Sequence, residues 1–499
     1  MTQSTTVNKK TKKKPSKQTL LAFDLVIVIS SLLYILADFY NDVFPWKITV
    51  IALLIVIILA AIGLLVKNRF VKGLVIFLIL MMSFMQFYTR NGIDRLINKE
   101  NKESHTVSII VTKDSSYTTI KDVSDKTFIK SDLLLPALMN EVEKELENEI
   151  VIKSFESQPD EISAVNALFK DNTKVLILDE AMRSFVSDVI PDFDDKTIVL
   201  KSIKLDIEKP VEDDEPVHPD PIDVPKDPEA PEPAPGEDPE FVYPDNGSFT
   251  LLISGIDVTG PVSTVSRSDV NILMTLNPNT RQVLTTSIPR DTFLPISCFD
   301  NAKDKLTHAG IRGVSCTQKT LANYLGVRID YYMKVNFTSV VKIMDVVGNV
   351  DVYSHYTFIG HEGTRFVKGM NNVNGKQALE FARTRKTVQG GDLTRGIHQQ
   401  ELIKAVFNKM MSPANILRVE GIINSVSRSI DTNISPRVIS SIISNQLNNG
   451  GSWDFNTMSL TGSDGMRTTY LYPRQKLYIM YPNNDSRSLI RTSILDLRK

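Results

Sequence analysis

The sequence predicts an α/β protein carried on an apolar N-terminal anchor. Three observations point there. Long apolar runs crowd the first ninety or so residues. Strand-like and helix-like patterns then alternate between Val107 and Ile207. After an interruption rich in proline and acid, strand-sized apolar segments end in carboxylates and arginines. The net charge of −1 conceals a division along the chain: +8 over residues 1–100, −20 over 101–246 and +11 over 247–499. A basic C-terminal part suits phosphate, nucleic acid or an anionic glycan, and the acidic middle disfavours nucleic acid.

Residues 1–19 form a basic tail rich in Ser and Thr, with the charge of a disordered segment. The apolar runs Leu20–Phe39, Ile48–Val66 and about Val71–Tyr88, spanning residues 20–88, each approach the roughly 20 residues that cross a bilayer. Three spans in succession without a small-residue cleavage site fit a cleavable signal peptide poorly. Lys10, Lys12, Lys13 and Lys14 precede the first run, and Lys67, Arg69 and Lys72 separate the second from the third. The first loop holds Asp38, Asp42 and only Lys47. The positive-inside rule therefore predicts a cytoplasmic N-terminus and places everything after about Tyr88 outside. Asp24, near the cytoplasmic end of the first span, reads as a snorkelling end residue, with an intramembrane functional carboxylate as the alternative.

Residues 106–207 predict a small accessory α/β domain. Val107–Val111 and Val175–Leu178 read as strands, and Leu133–Glu149 and Ala181–Val189 as helices. Its acidic helix face, Glu141–Glu149, is either simply solvated or a docking surface. Residues 208–246 hold eleven of the 24 prolines, interleaved with Asp and Glu, so a packed core is excluded and an extended, self-repelling spacer is expected.

Residues 247–499 carry the chemistry. Phe249–Ile256 predicts a strand that delivers Asp257 at its carboxyl end, where open α/β sheets hold ligands. Asp269–Leu276 and Gln282–Ile288 predict two more strands around the turn Asn277–Thr280. Arg267 and Asp269 are two residues apart, so an extended backbone aims both at one face. Asp257 and Asp269 are then a candidate pair for a hard divalent ion, Mg²⁺ or Mn²⁺. The plain alternative is a turn-capping Asp257 and a surface Arg267–Asp269 pair. Arg290 follows Pro289 at a strand end, with Asp291 placed to orient an arginine. Lys305 lies on the next loop, with Lys303 as an alternative. A short helix over Gln377–Ala382 leads to Arg383 and Arg385. Asp392 or Thr394 is expected to cap a helix running through Gln400–Lys409, whose Arg395 and Gln399 share a face. Helix N-termini beside arginines bind anions. The apolar segment from Tyr331 to Val347 is expected to be core, although a lipid channel would have the same composition. Cys298 and Cys316 are the only cysteines. Outside the cell they form a disulfide candidate that closes the loop bearing Lys305, with two free thiols as the alternative.

The ordered motifs Ser-Gly-Ile-Asp (254–257), Arg-Ser-Asp (267–269), Ile-Pro-Arg-Asp (288–291), Lys-Leu-Thr-His-Ala-Gly (305–310), Arg-Thr-Arg (383–385) and Gly-Asp-x-x-Arg-Gly-x-x-Gln (391–399) resemble the LytR-CpsA-Psr family over roughly Phe249–Met411. The three spans and accessory domain look like its streptococcal CpsA-type, capsule-linked branch. The resemblance implies an α-β-α sandwich with a mixed central sheet and an apolar tunnel for a polyprenyl chain. It implies a phosphotransferase that moves capsular polysaccharide, or a related anionic wall polymer, from an undecaprenyl-pyrophosphate carrier to peptidoglycan through a phosphodiester. It further implies Mg²⁺ on Asp257 and Asp269, and pyrophosphate held by Arg267, Arg290, Lys305, Arg383, Arg385, Arg395 and Gln399. The expected setting is the bacterial cell membrane, with capsule-synthesis proteins as further partners and no nucleic acid. A non-catalytic scaffold and a transcriptional regulator are the competing readings; the expected outside location of the basic domain argues against the regulator.

Overall fold

The computed structural model describes residues 17–40, 46–97, 102–208, 247–258, 261–385, 387–416, 418–434 and 436–499. The spacer 209–246 and the first sixteen residues lie outside these. The chain divides into two units, Met1–Asp94 with Pro436–Asn448, and Arg95–Ser435 with Asn449–Lys499.

In the first unit, helices Lys17–Tyr40, Trp46–Leu65 and Arg69–Ile97 follow one another. Two stretches, Lys17–Phe39 and Arg69–Phe87, are long and apolar enough to cross a membrane, while Thr49–Leu65 is shorter. Ile27, Tyr34, Val56, Val75 and Ile79 pack together between these helices. The snorkelling expected of Asp24 is corrected here. Its carboxylate pairs with the buried Lys72 ammonium, which also donates to the Gly63 carbonyl at 2.7 Å. Sequence separation hid the pair, because 48 residues divide its members.

Among the described residues the second unit contains two large sheets and four two-stranded ones. In the first, the strands run in the order Ile152–Gln158, Lys126–Ser131, Val175–Asp179, Lys102–Thr112, Thr197–Glu208. The expected helix over 133–149 begins later, at Pro136. Proline suits a first helical turn and drives the residue before it out of the helical region, so Leu133–Leu135 stay outside.

The second sheet is six-stranded and mixed, in the order Asp431–Thr432, Tyr331–Val335, Phe249–Ile256, Ser268–Asn277, Gln282–Ser287, Asp454–Ser459. Phe249–Ile256 pairs parallel with Tyr331–Val335 and antiparallel with Ser268–Asn277. Leu252, Leu273 and Leu284 pack with Leu321 and Leu325 of helix Val314–Leu325 and with Ile490 and Ile494 of helix Asn484–Arg498. Ser287 and Thr285 point the other way by the two-residue pleat. There, helix Gly391–Met410 presses Gly396 onto Ser287, and the Gln400 amide donates to the Thr285 and Met458 carbonyls at 3.0 and 2.8 Å. The sheet thus has helices on both faces. Of the apolar segment 331–347, Met344 and Val347 are buried in a further cluster with Phe358, Phe366 and Phe381.

The core around Leu252 and Leu273 also contains Ile110, Ile129, Val165, Met182, Phe185 and Phe193 from the first sheet and its helices. The two sheets therefore share apolar packing within one unit.

Candidate functional site

Asp269 is the centre of a buried polar group. Asp269 is the second residue of strand Ser268–Asn277, at a bulge in its pairing with Phe249–Ile256, and Arg267, only 8% exposed, immediately precedes the strand. Arg290 donates from Nη1 to Asp269 Oδ2 at 3.1 Å, and the Thr307 hydroxyl donates to Oδ1 at 2.9 Å. Burial raises the Asp269 carboxyl, but Arg290 and Arg267 outweigh it and hold the group below the usual carboxylate range. Asp269 is thus fixed as an anion.

Arg290 reaches Asp291 as well, Nε to Oδ2 at 3.6 Å, and the Lys305 ammonium pairs with the same Asp291 carboxylate. Burial lowers the Arg290 guanidinium, but Asp269, Asp291 and Asp392 together raise it above its ordinary value. Lys305 is therefore part of the cluster and not a solvated surface lysine, while Lys303 is exposed. Asp291 orients cations, as its position suggested.

The helix expected to be capped by Asp392 or Thr394 starts earlier, at Gly391, with Gly390 as its N-cap. Both glycines have positive φ, 88° and 55°, a backbone turn that side chains resist. Asp392 and Thr394 consequently sit inside the first turn. Arg395 Nη2 meets Asp392 Oδ1 at 2.8 Å. Burial lowers the Arg395 guanidinium, Asp392 and Asp269 raise it, and Arg290 and Arg385 oppose it, leaving it below its ordinary value. Like charges are held close together here, so an anion entering between them would be strongly attracted. Asp269, Ser287, Arg290, Asp392, Arg395 and Gln399 line one cavity.

A second group stands at the end of strand Phe249–Ile256. Asp257, half exposed, meets Arg383 at 3.6 Å, and the Arg383 guanidinium lies 3.8 Å from the centre of the Phe337 ring. Helix Gly375–Arg383 is tied to the first group through Gln399, whose amide donates to the Ala382 carbonyl at 3.2 Å. Arg385 is exposed and acts electrostatically on Arg395. The structure therefore gathers Arg267, Asp269, Arg290, Lys305, Arg395 and Gln399 directly, and places Asp257, Arg383 and Arg385 on the adjoining edge. Sequence reading missed Thr307 as a hydrogen-bond donor to Asp269 and Asp392 as the partner of Arg395. Their only sequence signal is membership of the same short motifs as Lys305 and Arg395.

Cys298 and Cys316 are joined in a disulfide with Cα atoms 5.8 Å apart, tying the segment before Lys305 to helix Val314–Leu325.

Among the described residues, no group of three or more His, Cys, Asp or Glu side chains is placed to hold a metal ion. A magnesium ion that shares its coordination with phosphate oxygens needs only one or two carboxylates. Asp269 is ionised, and each of its oxygens keeps acceptor capacity after one hydrogen bond, so the donor chemistry fits.

The described relatives agree with the motifs. The chain is 33% identical over 188 residues to the polyisoprenyl-teichoic acid–peptidoglycan teichoic acid transferase TagU of Bacillus licheniformis, covering 38% of this chain and 60% of that protein. It is 32% identical over 239 residues to the corresponding transferase TagV of Bacillus subtilis, 46% of this chain and 60% of that one. The chain thus spans about 60% of the length of these curated relatives. The crystal structure of B. subtilis TagV superposes with a TM-score of 0.44 at 28% identity, covering 51% of this chain and 98% of that one. The model of the LytR_cpsA_psr family matches residues 204–483, more than half of the chain, and this protein belongs to that family.

Proposed function

We propose that this protein transfers a wall glycopolymer from a polyprenyl-pyrophosphate carrier to peptidoglycan, forming a phosphodiester. Capsular polysaccharide is the polymer favoured by the resemblance to the capsule-linked branch, and undecaprenyl is the expected carrier alcohol. The observation that carries this reading is the cluster in which Asp269 and Asp291 hold Arg290 and Lys305 beside Arg395. Guanidinium groups fixed in advance by carboxylates bind a diphosphate without reorganising when charge shifts in the reaction.

In the proposed reaction an acceptor hydroxyl of peptidoglycan attacks the phosphorus nearer the sugar. The bond from that phosphorus to the bridging oxygen breaks, and polyprenyl phosphate leaves with the electron pair. Arg267, Arg290, Arg395 and Gln399 orient the diphosphate, and Arg383 and Arg385 meet it from the adjoining edge. Such transfers depend mainly on alignment and charge neutralisation. Asp257 and Asp269 would hold Mg²⁺, which would supply further neutralisation of the phosphate oxygens when bound. Asp269 is held ionised between arginines and makes a weak proton acceptor. Asp257, half exposed at the strand end, is the better-placed acceptor for the hydroxyl proton. The apolar cluster around Met344, Val347 and Phe381 stands next to the Arg383 helix and is the proposed side for the polyprenyl chain. The helices of the first unit would anchor the chain in the membrane, with the site outside and the N-terminus in the cytoplasm.

The test is the full chain in lipid vesicles, given a polyprenyl-pyrophosphate oligosaccharide and Mg²⁺, with release of polyprenyl phosphate as readout. Arg383→Ala is expected to lower turnover on the order of 10²–10³-fold, the effect of removing one charge-stabilising donor. A wild-type protein that leaves the lipid intact refutes the proposal.

A further inference from the structure

The first sheet and its helices have no part in the reaction above. Helix Glu180–Val189 belongs there, and its Phe185 is 4% exposed. The Phe185 ring does not pack only on its own sheet. It stacks on Tyr472, centroids 3.6 Å apart at 26°, and meets the His308 ring edge-on at 5.9 Å. Tyr472 and His308 also approach each other at 5.6 Å. Three aromatic rings from separate parts of the chain thus form one buried contact.

His308 lies in the motif Lys305–Gly310, next to two residues that touch the site. Its Nδ1 meets Asp304 Oδ1 at 2.6 Å, and Asp304 also accepts from the amides of Lys305 at 2.6 Å and Leu471 at 2.9 Å. Asp304 and His308 are almost wholly buried. On one side of this pair Lys305 holds Asp291, and on the other Thr307 holds Asp269. The Thr307 amide also donates to the Arg290 carbonyl at 2.9 Å. Gly310 ends the segment so close to the Ser268 backbone that a Cβ there would lie 2.4 Å from its nitrogen. The turn carrying Lys305 and Thr307 therefore has the site on one flank and the Phe185 contact on another.

A second connection reaches the site from the same sheet. Ser104 of strand Lys102–Thr112 donates its amide to Ser263 and accepts from Val265, both at 3.1 Å. Val265 is two residues before Arg267.

We propose that Phe185 is a positioning residue for this site: by packing on His308 and Tyr472 it fixes the Lys305–Gly310 turn, and so sets where Thr307 and Lys305 hold Asp269 and Asp291. The accessory sheet is then part of the catalytic framework, in addition to any docking role of its acidic face. This rests on the transfer reaction proposed above for its activity readout only.

The test compares full-length Phe185→Ala and Phe185→Leu with Met182→Ala in vesicles. Met182, one turn earlier on the same helix, is buried in the same core and gives the cost of a cavity alone. Phe185→Ala is expected to lower kcat about 10–100-fold, the penalty of misplacing catalytic groups by about an ångström, with KM for the polyprenyl-pyrophosphate oligosaccharide changing less than about threefold. Met182→Ala is expected to keep kcat within about threefold of wild type, since it leaves the turn in place. Amide hydrogen exchange supplies a readout free of activity. Exchange over residues 304–310 is expected to speed up in the Phe185 variants, with residues 270–276 unchanged. Phe185→Leu carries the test if the alanine variant does not fold. Equal kcat losses in the Phe185 and Met182 variants, or exchange that rises uniformly, overturns the proposal. If wild type releases no polyprenyl phosphate, the reaction fails, and the exchange comparison still decides the positioning role.

Discussion

Removing Arg290 separates what the ion pair does for stability from what it does for function. Asp269 is 9% exposed and Arg290 16%, so their contact is largely shielded from water. Arg290→Ala leaves a buried carboxylate that keeps, among the described residues, Thr307 as a direct partner and Arg267 as a nearby charge. Breaking a buried pair from one side costs roughly 3–5 kcal/mol, and the remaining partners place this case near 3. For a cooperative unit of roughly 400 residues that corresponds to a fall in Tm of about 3–4 °C. The pH dependence has a definite sign. The Asp269 carboxyl is depressed in the folded protein, so its stabilisation is present above the unfolded value near ~4 and is lost as pH falls through the folded value. In Arg290→Ala the carboxyl rises, so the deficit is largest at neutral pH and shrinks towards pH ~4. Adding Asp269→Asn removes the stranded charge, and the double variant is expected to regain most of the lost Tm while remaining inactive. Thermal melts followed by circular dichroism from pH 4 to pH 8 measure all of this. A double variant no more stable than Arg290→Ala refutes the ion-pair reasoning.

Three further outcomes are expected. Arg498 is fully buried and grips Asp330 through both terminal nitrogens at 2.6 and 3.2 Å while also donating to the Ser248 carbonyl; Arg498→Ala is expected to cost about 3–5 kcal/mol in chemical denaturation, with the turnover of the folded fraction unchanged. Cys316→Ser opens the bridge between residues 18 apart, which by chain entropy is expected to lower stability by about 3 kcal/mol under oxidising conditions and by nothing under reducing ones. Burial pushes the Glu161 carboxyl up to about 7, so in the wild type its favourable contribution is complete below its unfolded value and disappears as pH rises through 7. Glu161→Gln is therefore expected to raise stability at pH ~8 by roughly 3 kcal/mol and to leave it unchanged at pH ~4, read from paired melts.

The apolar N-terminal helices, the strand-helix alternation and the family were legible along the chain because each depends on local composition or on short motifs. Phe249–Ile256 was readable as a strand because Phe249, Leu251, Leu252, Ile253 and Ile256 make a strand-length run rich in apolar and β-branched residues. The arginine motifs were readable because residue type alone fixes what a guanidinium can bind. Tertiary structure alone decided the pairings. Asp269 with Thr307, Lys305 with Asp291 and Asp24 with Lys72 join residues 14 to 48 positions apart, which no local pattern specifies. It also decided that Phe185 lies against His308, because a buried aromatic residue seeks apolar surroundings without naming them. Sequence determined which groups this protein owns. The packing of two sheets in one core determined which of them share a low-dielectric space, and charge–charge interactions acquire their strength only there.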